Sequence, residues 1–73
     1  MNTLPEPAIP ATIVLKAKTA ALEIAAATGY DARTALRALL HGPDAIRPLR
    51  MREALRPHAE AWRAEHLAGG GHP

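Results

Sequence analysis

Gly29 stands between two stretches that each read as helix. Leu22-Glu23-Ile24-Ala25-Ala26-Ala27-Thr28 precede it, and Tyr30-Asp31 lead into Ala32-Arg33-Thr34-Ala35-Leu36-Arg37-Ala38-Leu39-Leu40. A helix ends readily at a residue that accepts positive φ, and glycine does so without steric penalty. Asp31 is suited to accept hydrogen bonds from the free amides of the following helix as its N-cap. Ala25 to Ala27 let two helices approach closely, as a steep crossing over a short turn requires. The expected unit is therefore a helix over 20–28, a tight turn, and a second helix over 32–41 that Gly42-Pro43 ends.

A chain of 73 residues allows one small domain. Its core would be marginal, because 17 alanines and no phenylalanine offer little apolar area to bury. A partner surface is expected in compensation, most economically a second copy of the same chain. The absence of cysteine excludes a disulfide framework and cysteine-based zinc sites. No apolar run approaches the roughly 18 residues of a membrane span. Nor does the N-terminus pair a basic region with a hydrophobic stretch, so the expectation is a cytoplasmic protein.

Along the chain, residues 1–11 contain three prolines and no periodicity, and they read as a flexible arm before a domain over residues 12–68. Residues 12–18 are ambiguous. A strand would set Ile13, Leu15 and Ala17 on one face, whereas a helix would align Ile13, Ala17, Ala20 or Ala21, and Ile24. Thr19 as a cap for a helix from Ala20 favours a strand that pairs with its counterpart in a dimer. Asp44-Ala45-Ile46 reads as a turn whose Ile46 tucks under the motif. Pro48 suits the first turn of a third helix through Arg56. Pro57 then implies a kink or a fresh helix over 57–68, with Ala59, Trp62 and His66 or Leu67 on its inner face. Residues 69–73 read as a disordered tail. The fold class is all-α or mainly α: three to four helices, with a short N-terminal strand as the one β element considered.

The stretch resembles the helix-turn-helix of bacterial repressors, and within them the DNA-binding headpiece of the lac-repressor family. The resemblance is carried by Ile24-Ala25, Thr28-Gly29-Tyr30-Asp31, Arg33-Thr34-Ala35 and Arg37-Ala38-Leu39. It extends more weakly to Gly42-Pro43-Asp44-Ala45-Ile46 and Met51-Arg52-Glu53-Ala54-Leu55. It implies that the second helix lies in a major groove of duplex DNA, where Ala32, Arg33 and Arg37 would meet base edges. It also implies burial of Ala35, Ala38 and Leu39. Yet the larger apolar residues are Leu36 and Leu40, so two alternatives stay open. Either the turn is one residue longer and buries Leu36, Leu39 and Leu40, or Leu36 and Leu40 face a partner.

Charge supports a nucleic-acid partner. The net charge is only +2, but residues 30–57 hold six arginines against three acids, while residues 1–29 are neutral. An arginine fork can donate two hydrogen bonds to guanine O6 and N7, a contact worth about 1–3 kcal/mol of discrimination. Ala32 could touch a thymine methyl. Thr28 and Thr34 could donate to phosphates, although Thr28 has a local alternative in its own backbone. Lys16 and Lys18 could add phosphate contacts, or base contacts if their strand entered the groove. Arg47, Arg50, Arg52 and Arg56 read as solvated, with one or two near the DNA backbone. Trp62 reads as a core anchor.

The four histidines show no metal-ligand spacing, and no nucleophile has an adjacent base. The expectation is a non-enzyme without cofactor, metal, small-molecule ligand or membrane partner. It would bind double-stranded operator DNA as a homodimer and regulate transcription, most simply as a repressor. A ribbon-helix-helix repressor, with residues 12–18 as the ribbon, is the related alternative. A helical protein-interaction module, such as an antitoxin or anti-regulator, is the alternative from another class.

Overall fold

The computed structural model describes residues 9–67. The expected arm over 1–11 lies mostly outside these residues, and the tail over 69–73 does so entirely. The described residues form three α-helices: α1 Ala11–Thr28, α2 Ala32–His41 and α3 Leu49–His66. A single 3₁₀ turn, Pro43–Ala45, joins α2 to α3. The chain is thus mainly helical, with no strand among the described residues. No described helix is long and apolar enough to cross a membrane.

The strand expected over residues 12–18 is replaced by helix. This stretch is the first half of α1, which runs through Thr19 without a break. A lone strand would leave its backbone N–H and C=O groups without partners, whereas a helix satisfies them internally. The packing favours the helix too, because Ala17, Ala21 and Ile24 share one buried stripe and Ile13 packs half-buried at its end. Thr19 does not cap a new helix. Its hydroxyl donates back to the Leu15 carbonyl at 3.3 Å, a bond available only within a helix.

At the C-terminus of α1, Gly29 adopts φ 85° and donates its N–H to the Ala25 carbonyl at 2.8 Å. Asp31 N-caps α2, accepting from the Thr34 amide at 3.2 Å and from the Thr34 hydroxyl at 2.7 Å. The Thr34 hydroxyl bond is the main reason that the Asp31 carboxyl titrates below its ordinary value of 3.8. Gly42 ends α2 at φ 101° with its N–H on the Ala38 carbonyl. Both expected boundaries of α2 are those observed.

α2 lies between α1 and α3 and packs on both. Its buried side is Ala35, Ala38 and Leu39, while Leu36 and Leu40 are half-buried against the core's edge. The longer turn that would have buried Leu36 in place of Ala35 is not the one found. The smaller side chains face inward because the helices approach closely, and alanine permits that approach. Ile46 is buried beneath the motif. α3 continues through Pro57 as one helix, with Leu55, Ala59 and Trp62 turned inward. Pro57 is exposed, so the carbonyl it leaves without a partner can be served by water. The largest fully buried side chains are Leu39 and Leu55, and most of the remaining core is alanine.

Candidate nucleic-acid interface

The seven arginines divide into two sets. Three are held by the fold. Arg56 pairs with Asp44 at 3.4 Å, Glu53 at 3.0 Å and Glu60 at 3.5 Å, tying the 3₁₀ turn to α3. Hydrogen bonding to Glu53 is the main cause that raises the Arg56 pKa above its ordinary value. Arg63 reaches from α3 to the carbonyl of Leu39 at 2.9 Å, placing a cation near the negative end of the α2 dipole. Arg52 donates to the carbonyl of Arg47 at 3.3 Å.

The other four, Arg33, Arg37, Arg47 and Arg50, are exposed and form no ion pair with the described residues. Arg33 and Arg37 lie one turn apart on the outward face of α2. Together with Thr34 and Arg47 they border an open groove of about 350 Å³, floored by Ile46 and Met51. No carboxylate lines that groove. The acids nearest in sequence are engaged elsewhere, Asp31 at the α2 cap and Asp44 on Arg56. The outcome is a concave cationic surface on the outward face of a short helix.

The remaining expected site residues separate. Lys18 and Leu22 join Arg33 at a second, apolar groove of about 300 Å³, floored by Ala21, Ala32 and Leu36. Ala32 is half-buried there, at the first turn of α2. Lys16 is exposed but lies two residues from Lys18, and therefore nearly on the opposite side of α1. It is not brought to Arg33 or Arg37. Thr28 donates its hydroxyl to the Ile24 carbonyl at 2.7 Å and accepts from the Tyr30 amide at 3.3 Å. With the Thr34 hydroxyl donated to Asp31, both threonines use their proton to build the turn and cap rather than presenting it outward.

Arg47 is the groove residue that linear spacing did not single out. It follows Arg37 by ten residues, and only the 3₁₀ turn brings the two to one surface. The Gly42-Pro43 pair, which ends α2 and starts that turn, was the signal available. Among the described residues no three His, Cys, Asp or Glu side chains gather as a metal site would require. No protein-family model, curated protein or solved structure matches this chain.

Proposed function

We propose that this chain is a sequence-specific DNA-binding regulator, most simply a repressor acting by occupancy, with α2 as its recognition helix and two copies acting together. The observation that carries it is the groove on α2: Arg33 and Arg37 exposed one turn apart, Arg47 beside them, no carboxylate in its lining and no ion pair holding these arginines among the described residues. Unpaired guanidinium groups on the outward face of a helix suit both phosphate attraction and donation to guanine edges. Arg33 and Arg37 are the base readers in this scheme. Arg47, on the chain that returns to α3, addresses the sugar-phosphate backbone.

The burial of Ala35, Ala38 and Leu39 supports the resemblance to the lac-repressor headpiece, since it leaves Arg33 and Arg37 outward. The ribbon-helix-helix alternative required a strand over residues 12–18, and those residues are helical. A protein-interaction module remains as a second function, favoured by Leu15 and Leu22, which are 63% and 65% exposed on α1.

A gel-shift titration against DNA from upstream of the chain's own coding region tests the proposal. Binding should be saturable, should outcompete unrelated duplex, and should weaken steeply as salt rises. Equal affinity for every duplex, or binding indifferent to salt, would sink the DNA assignment and favour the protein-interaction module.

A further inference from the structure

We propose that the outer face of α1 is the homodimer seam, formed with a second copy of α1 running antiparallel to the first. It takes from the preceding section only that two copies act together, and its test reads association without DNA. Ala17, Ala21 and Ile24 point α1 into the core, which turns Leu15, Thr19, Leu22 and Ala26 to the opposite, exposed side. Leu15 and Leu22 are seven residues apart and stand on one stripe. Among the described residues they are two of the three large apolar side chains left exposed, and the core there fully buries only two leucines.

The occupant follows from self-complementarity. If a two-fold axis crosses α1 between Lys18 and Thr19, Leu15 meets the partner's Leu22, and Leu22 meets the partner's Leu15. Such a reciprocal contact is what a symmetric dimer requires. The flanking charges match in the same register. Lys16 and Glu23 occupy one edge of the stripe, both exposed and neither paired among the described residues. The antiparallel arrangement sets Lys16 close to the partner's Glu23 and the reverse, giving two opposite-charge contacts. A parallel pair would instead bring one edge against the partner's opposite edge, which takes Lys16 away from the partner's Glu23. Lys18 sits on the other edge, where its flexible stem lets the ammonium reach water past the seam. Thr19 and Ala26 are small enough to let the two helices approach. Leu22 and Lys18 meet Arg33 at the apolar groove between α1 and α2, but the groove of Arg33, Arg37 and Arg47 is lined by no residue of α1.

Sedimentation equilibrium of the full chain, across a concentration series without DNA, tests this. The parent chain should show a monomer–dimer equilibrium. Leu22→Glu should weaken it roughly tenfold or more, because a carboxylate would then be desolvated in the seam. Lys16→Glu should weaken it about tenfold by placing like charges together, and Lys16→Glu combined with Glu23→Lys should restore it. Helix content by circular dichroism should be unchanged throughout, since these side chains are exposed in the monomer. A chain that sediments as a monomer at every concentration, or a charge swap that fails to restore association, would overturn the proposal. Operator binding is read separately with Arg37→Ala, so loss of the seam and loss of the DNA assignment give different results.

Discussion

Arg33 and Arg37, like Arg47 and Arg50, are distinguished from the remaining arginines by what does not touch their side chains. Arg56, Arg63 and Arg52 each have a partner that fixes the fold, and removing one of those would act through stability. Arg37 has none, so Arg37→Ala should leave the unfolding midpoint unchanged while relaxing preference at one base pair by about 1–3 kcal/mol. Competition binding with single-base operator variants reads this directly. Asp31 makes a second residue-scale prediction. Its carboxyl is held low chiefly by the Thr34 hydroxyl, so the folded state binds its proton less readily than the unfolded state. The cap's contribution is therefore present above the ordinary value of 3.8 and is lost as pH falls through the lower folded value. An NMR titration should find Asp31 deprotonating below 3.8, and Thr34→Val should move it back upward.

At the scale of the element, α1 and α3 are decided by different balances. In α1, residues 12–18 hold apolar positions that both a strand and a helix could order, so alternation alone did not choose between them. The helix prevails because its backbone bonds are internal and its inner stripe of Ala17, Ala21 and Ile24 fits against α2. α3 persists through Pro57 because tertiary contacts at Leu55, Ala59 and Trp62 hold both halves to one surface. A proline in a helix interior costs about 3 kcal/mol relative to alanine. Pro57→Ala should consequently raise stability by up to about 3 kcal/mol, since Pro57 is exposed and its replacement restores the missing donor. Urea unfolding of the two chains measures the difference. No gain would show that the helix has already relaxed around the ring.

For the whole molecule, stability rests on few large side chains. Leu39 and Leu55 are fully buried, and Leu39 sits on α2, the helix that packs on both of the others. A core of this size rarely supplies more than about 3–5 kcal/mol. Leu39→Ala typically costs about 2–5 kcal/mol, which is comparable to that whole amount. The expected outcome is loss of a cooperative thermal transition, read by circular dichroism, with α2 no longer presenting its arginines. Association through α1 would add apolar burial that the monomer lacks, so the melting temperature should rise with protein concentration.

What was legible from residues alone was everything set by local chemistry. Gly29 and Gly42 marked the ends of two helices, Asp31 marked the start of α2, and the one-turn spacing of Arg33 and Arg37 followed from their place within it. Such signals act within a few residues, through φ preference and capping, and need no knowledge of the rest of the chain. Only the tertiary structure decided the state of residues 12–18, the continuity of α3 through Pro57, the burial of Ala35 rather than Leu36, and the meeting of Arg47 with α2. Each depends on which surface packs against which, and packing energy is a property of distant contacts that periodicity within one segment does not contain.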